Sequence, residues 1–401
     1  MERIFIVAAK RTPIGSFNGS LASLSSVELG AHAIKAALEQ VDIAPEQIDE
    51  VIVGNVLTGG AGMGPGRQAA MKAGIPESVP AYTLNMICGS GMKAIMDAVS
   101  HIRAGDARIV MTCGMESMSN AAFLASGNIR QGIRMGHQVM EDSIIKDGLT
   151  DAFHGYHMGI TAENIAKKFD ISREQQDEFA LNSQRKAAIA LKDGHFNAEI
   201  APVSVSYRKQ TQLVEQDEFP KLDCTLEDLQ NLRPAFDKQG TVTAGNASGI
   251  NDGASAILLA CESAVEQYGL TPLAEVVEYA QAGVDPEFMG LGPVSAVGHV
   301  LEKSRMKLTD IEVFELNEAF AAQAIGVNQQ LASVHHIEPS WLEQRVNLSG
   351  GAIALGHPIG ASGNRIVTTL VYQLERTQLT FGLASLCIGG GMGTALIIKR
   401  C

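Results

Sequence analysis

Positive charge is in deficit in this sequence. Its 31 lysines and arginines face 44 aspartates and glutamates, a formal net charge of −13. That balance disfavours generic binding to nucleic acid or to an anionic membrane surface, while leaving room for a local basic patch that meets an anionic substrate. Cysteine is sparse: six in 401 residues, with no CxxC pair. A disulfide framework is excluded on number, and zinc or thioredoxin-like chemistry on spacing; no metal is expected. No uninterrupted apolar run reaches membrane-spanning length. No charged leader precedes the apolar Ile4-Phe5-Ile6-Val7, and the final residues form neither a peroxisomal tripeptide nor a prenylation box. The expected setting is a reducing cytoplasm.

What is present is an apolar fraction of 46% and 41 glycines. A chain this long can bury two or three cores, and the profile suits an α/β enzyme whose strands and helices meet at tight turns. The chain also repeats itself. Ala36-Ala37-Leu38-Glu39-Gln40 leads to Ile48-Asp49-Glu50-Val51-Ile52-Val53-Gly54-Asn55, and Val300-Leu301-Glu302-Lys303 leads to Asp310-Ile311-Glu312-Val313-Phe314-Glu315-Leu316-Asn317. Each pair reads as an amphipathic helix, a turn, and a buried strand that ends at an asparagine. A glycine-flanked Cys88 or His357 then opens another helix, and an apolar strand ending in glycine closes each half. Matching order and turn chemistry point to an internal duplication.

The boundaries follow from texture. Residues 1–120, completed by about 249–270, form the first half, and residues 271–401 form the second. Residues 121–248 alternate helical patches with polar loops and read as an inserted loop domain, a usual carrier of substrate recognition.

Two cysteines lie in glycine-rich turns: Asn85-Met86-Ile87-Cys88-Gly89-Ser90-Gly91 and Cys387-Ile388-Gly389-Gly390-Gly391-Met392-Gly393. A thiol at a strand-to-helix turn has open access and nearby backbone N–H groups, which favour a thiolate. A second thiol, the histidine of Gly356-His357-Pro358 and the asparagine of Asn317-Glu318-Ala319-Phe320 would add a base and an oxyanion site.

These motifs, with Asn246-Ala247-Ser248-Gly249-Ile250-Asn251-Asp252-Gly253-Ala254, resemble the thiolase family, and within it the biosynthetic branch, over essentially the whole chain. The resemblance implies a five-layered αβαβα fold of two duplicated halves, with the loop domain covering a coenzyme A pocket. It also implies a homotetramer, with residues near Arg130 to Met140 as the assembly loop. The implied reaction condenses two acetyl-CoA into acetoacetyl-CoA and CoA, and runs the thiolysis in reverse; CoA thioesters are substrates and no cofactor is expected. Cys88 would be the nucleophile, His357 the base that activates it, and Cys387 the base that deprotonates the acetyl methyl group. Asn317 would hold a water at one oxyanion hole, and the N–H groups of Cys88 and Gly389 would form the other.

For the CoA arm the matching positions are Leu149, His157, Met158, Phe236, Ala244, Ser248, Ala319 and Phe320, with Met158, Met289 and Phe320 closing a pocket for a two- to four-carbon acyl group. Lys221 stands where biosynthetic relatives often have arginine; it keeps the charge but loses the forked donor set. Two other readings stay open: a degradative 3-ketoacyl-CoA thiolase of broader chain length, and a catalytically dead CoA- or lipid-binding protein on the same scaffold.

Overall fold

Aliphatic and β-branched runs form the strands, and central ones such as Ile109–Ser117 and Asn251–Cys261 are buried on both faces because helices cover both sides of the sheet. The computed structural model describes residues 2–207 and 210–401. Among the described residues, ten strands form one hydrogen-bonded series. Nine are β1 (Ile4–Arg11), β2 (Glu50–Gly54), β3 (Ala81–Leu84), β4 (Ile109–Ser117), β5 (Asn251–Cys261), β6 (Ala274–Gly283), β7 (Val313–Leu316), β8 (Phe381–Ile388) and β9 (Met392–Arg400). The tenth, Gly15–Ser16, pairs with β5.

Their spatial order is β3-β2-β4-β5-β1-β6-β9-β8-β7. The centre is the antiparallel pairing of β1 with β6, Phe5 opposite Glu275 and Ile6 opposite Ala274. Outward from it, one half runs β1, β5, β4, β2, β3 and the other β6, β9, β8, β7. Where the second half lacks a counterpart to β3, Val346 bridges in parallel to Phe314 of β7. Both halves therefore have the same pattern, two antiparallel pairings followed by parallel ones. The duplication read from the sequence is present in the strand register.

Helices complete five layers. α1 (Ser26–Leu38) packs on β1, β4 and β5 from outside, started by a capping box between Ser25 and Glu28. α2 (Ser90–Ala104) lies inside against β2 and β4, together with the long helix Ile359–Thr377, which touches β4 and β5 on one side and β7 and β8 on the other. That helix is buried at every position from Ile359 to Leu374. Its Ile366, Val367, Leu370, Val371 and Leu374 each contribute roughly 1.5–3 kcal/mol of burial. Gly292–Ser304 covers β6, β8 and β9 on the far side.

Between β4 and β5 the chain forms the hairpin Phe123–Ala125 with Met140–Asp142, α3 (Met158–Lys168), α4 (Arg173–Lys192) and a second hairpin from Val203 to Val214. With α3 and α4 placed, the three longest helices that follow are α5 (Gly292–Ser304), α6 (Ala321–Val334) and α7 (Ile359–Thr377).

Arg11 of β1 fastens this segment to the body. Its guanidinium, fully buried, donates to both carboxylate oxygens of Asp217 at 2.7 and 2.9 Å and to Glu199 Oε1 at 2.5 Å. It lies over the Phe196 ring, and Thr369 of α7 donates to the same Glu199 oxygen. The two carboxylates overcome the burial penalty and hold the guanidinium above its ordinary range. Asp217→Ala should therefore lower the unfolding free energy by about 3–5 kcal/mol, because it leaves a buried guanidinium with one carboxylate and unpaired donors. Urea unfolding at fixed protein concentration measures this. A loss under about 1 kcal/mol would mean that apolar contacts alone hold the insertion.

Candidate active site

The turn between β3 and α2 is strained and braced. Ile87 has φ +47°, a region that β-branched residues avoid at a cost of about 1–3 kcal/mol. Asn85 Oδ1 accepts from Ile87 N at 2.9 Å, and Ser90 Oγ accepts from Met86 N while donating to Ile87 O. The brace presents Cys88 at the head of α2. Cys387 lies at the end of β8, ahead of a turn in which Gly390 and Gly391 both have positive φ. The two turns touch: a Cβ on Gly89 would sit 2.4 Å from Ile388 Cδ1. His357 arrives just before α7. Its N–H donates to Asn251 Oδ1 at 2.9 Å, and its Nδ1 lies 2.6 Å from Ser362 Oγ.

Cys88, His357, Cys387 and Gly389 line one cavity of about 440 Å³. Its wall is an aromatic stack. The His157 ring lies 4.4 Å from that of Phe236, nearly parallel, and Phe236 meets Phe320 edge-on at 6.1 Å. Met158, Met289, Ala319 and Phe320 are buried in one cluster with Cys387, while Leu149 packs beside Cys88. Ser248 is brought in by a backbone bridge, Ser248 N to Ala319 O and Ala321 N to Asn246 O. Ala244 and Lys221 are exposed at the mouth.

Of the site residues expected from the sequence, only Asn317 is off the cavity lining. It is buried at the end of β7, its N–H donating to Ser385 O, and its side-chain oxygen and nitrogen have no protein partner among the described residues. Asn347 fixes this strand end by bonding both backbone groups of Leu316 and the Glu318 carboxylate.

Several lining residues escaped the sequence reading. Ala247, Gly249 and Ile250 lie within the recognised Asn246–Ala254 motif, and Phe219 is two residues from Lys221, so a signal existed. Ile359 likewise is two residues from His357, whereas Met118 comes from a strand end and carries no local signal.

The expected thiolate is corrected by the fold. Burial pushes the Cys88 thiol up to about 11, outweighing the backbone N–H groups of Gly389 and of Cys88 itself, and the Glu116 charge pushes the same way. Burial likewise raises Cys387, with Cys88 as the next cause. His357 is pulled down to about 3 by burial and then by the Arg365 charge, and burial lowers His157. At neutral pH the resting site holds two thiols and a neutral imidazole. Among the described residues no cluster of side chains could hold a metal ion, and no helix is long and apolar enough to cross a membrane.

Residues 4–263 match the family model for the thiolase N-terminal domain and residues 270–400 that for the thiolase C-terminal domain. The chain belongs to the thiolase family. The acetyl-CoA acetyltransferase of Escherichia coli K12 is 53% identical over the full length of both chains, and that of Cupriavidus necator 52% over the full length of both. Among solved structures, the acetyl-CoA acetyltransferase of Syntrophomonas wolfei superposes with a TM-score of 0.97 at 40% identity, covering all of both chains. Human mitochondrial 3-ketoacyl-CoA thiolase, in complex with CoA, superposes at 0.94 with 42% identity, covering all of this thiolase and 98% of that chain.

A raised thiol pKa has a direct consequence for this thiolase. Alkylation of Cys88 by iodoacetamide, followed on its peptide by mass spectrometry, should keep accelerating as pH climbs toward about 11. A plateau near pH 8, by contrast, would reveal a thiolate already formed in the free enzyme.

Proposed function

We propose that this thiolase is an acetyl-CoA C-acetyltransferase, condensing two acetyl-CoA into acetoacetyl-CoA and CoA and catalysing the reverse thiolysis. The observation that carries the reading is the convergence of two thiols and an imidazole, from three separate turns, on one narrow, largely apolar cavity with a lysine at its mouth. In the first half-reaction His357 takes the Cys88 proton and the sulfur attacks the thioester carbonyl; CoA leaves with the proton of Cys387, whose sulfur becomes a thiolate. The N–H groups of Cys88 and Gly389 receive the developing oxyanion. In the second, the Cys387 thiolate removes a methyl proton from the incoming acetyl-CoA and is a thiol again. The enolate oxygen is stabilised by the proton on His357 Nε2 and by a water on the Asn317 amide. The carbanion attacks acetyl-Cys88, and as the Cys88–acyl bond breaks the sulfur takes its proton back from His357, releasing acetoacetyl-CoA.

Relatives named acetyl-CoA acetyltransferase at 52–53% identity support the short-chain reading. So do the buried Met158, Met289 and Phe320, which crowd the cavity beside Cys387. A homotetramer is part of the proposal. The segment from Phe123 to Met140 exposes Phe123, Ile133, Met135, Val139 and Met140 together, an apolar patch that water disfavours. A cytoplasmic setting is also part of it, because two thiols facing one cavity survive as thiols only in a reducing compartment. A degradative reading has one observation in its favour, the close superposition on human 3-ketoacyl-CoA thiolase.

Thiolysis separates the two. Acetoacetyl-CoA should be cleaved at least about tenfold faster, as kcat/KM, than a long-chain 3-ketoacyl-CoA, the ratio that a clash of ~1.4 kcal/mol gives. Equal or better turnover of the long chain would transfer this thiolase to the degradative branch. No turnover of either would leave only the dead-scaffold reading.

A further inference from the structure

An imidazole that takes a thiol proton needs its Nε2 lone pair free, so its single proton must rest on Nδ1. In many cysteine and serine enzymes a carboxylate holds that proton. Here the group at His357 Nδ1 is a hydroxyl, Ser362 Oγ at 2.6 Å, and both side chains are buried. A hydroxyl can accept from Nδ1–H only if its own proton goes elsewhere. Ser362 has such a place: Pro358 O lies 3.0 Å from Oγ, the usual back-bond of a helical serine to the carbonyl four residues before it. That carbonyl also receives the N–H groups of Ala361 and Ser362, which fixes it at the head of α7. The main chain of His357 is pinned independently, through Asn251 Oδ1.

We propose that Ser362 is a positioning residue that holds His357 in its Nδ1–H form, making Cys88, His357 and Ser362 a chain in which a neutral hydroxyl stands where a carboxylate would be. The inference rests on the reading of His357 as the base for Cys88. The proton balance is simple. The Cys88 proton passes to Nε2, Nδ1–H stays bonded to Ser362 Oγ, and the serine proton stays on Pro358 O. When CoA leaves with the Cys387 proton, Nε2–H stays on His357 to meet the enolate oxygen. Because no anion faces Nδ1, the imidazolium is not stabilised at rest, and the proton returns to the Cys88 sulfur when acetoacetyl-CoA is released.

The test has a static arm and a kinetic arm. Neutron diffraction from wild-type crystals should show hydrogen on Nδ1 of His357 and the Ser362 hydroxyl aimed at Pro358 O. Hydrogen on Nε2, with the hydroxyl aimed at Nδ1, overturns the proposal. In rapid-quench acetylation by acetyl-CoA, Ser362→Ala should slow acetyl transfer to Cys88 by about 10²-fold with little change in KM, a typical loss for a misdirected general base. Ser362→Thr, which can make the same back-bond, should recover most of that rate. A wild-type rate in Ser362→Ala, or equal losses in both variants, overturns the role of Ser362. His357→Ala separates this from failure of the underlying reading. Its acetylation at the wild-type rate would remove His357 as the base, whereas loss there with none in Ser362→Ala removes Ser362 alone.

Discussion

Glu116, at the end of β4, has no contact with solvent and accepts four hydrogen bonds. Asn55 Nδ2 and Leu57 N meet one oxygen at 2.7 and 3.1 Å; Val56 N and Gly360 N meet the other at 3.1 and 2.9 Å. The first three donors belong to the segment that leaves β2 in the first half, and the fourth lies in the first turn of α7 in the second half. One carboxylate thus joins the two halves at the floor of the cavity, three residues from His357, where the positive end of a helix favours an anion. Val56, Leu57, Met118 and Ile359 pack around this junction with Cys88 against them. Burial pushes Glu116 up to about 7 while the four donors pull the other way. The same charge helps to raise the Cys88 thiol.

The price of so closed a site is that no charged group is ready in advance. Both thiols are raised and His357 is lowered by the same cause, loss of hydration. The surroundings that suppress the thiolate also strengthen each hydrogen bond aimed at an oxyanion, because the local dielectric is low. They keep water from an acyl-thioester intermediate as well. Proton transfer between a neutral thiol and a neutral imidazole needs no charge to be stored between turnovers. Fixed N–H groups then stabilise charge only where and when it develops.

How much of this could be read from the sequence divides along one line. Features that act through adjacent residues were legible: the glycine-flanked cysteines, the strands that end in asparagine, the helix heads at Cys88 and His357. Features that depend on atoms brought from far along the chain were not. The thiol pKa was read in the wrong direction because a helix head is local, whereas burial depends on the whole fold. Asn251, which holds the His357 backbone, lies in a recognised motif but its partner is 106 residues away, and Glu116 looks like an ordinary polar residue in sequence. Asn317 was recognisable as a motif residue, but its position off the cavity lining depends on Asn347 and the end of β7.

The duplication explains why chemistry and structure divide between the halves as they do. In the first half Gly54 of β2 is in register with Gly114 of β4, so Asn55 follows one and Glu116 lies two residues past the other. In the second half Leu316 of β7 is in register with Ser385 of β8, and the same steps reach Asn317 and Cys387. Cys88 and His357 correspond as well, each one residue before the N-cap of its central helix. Each half therefore supplies an asparagine, a second group on the neighbouring strand and a residue at the helix head. In the first half Asn55 Nδ2 donates to Glu116 and to Met115 O, Glu116 also accepts three backbone N–H groups, and of the three residues only the helix-head one, Cys88, lines the cavity. In the second, the Asn317 side chain has no protein partner among the described residues, and Cys387 faces the cavity with His357. Two copies of one framework have been put to different uses, one tying its asparagine and carboxylate together to join the halves and the other leaving its groups free to react.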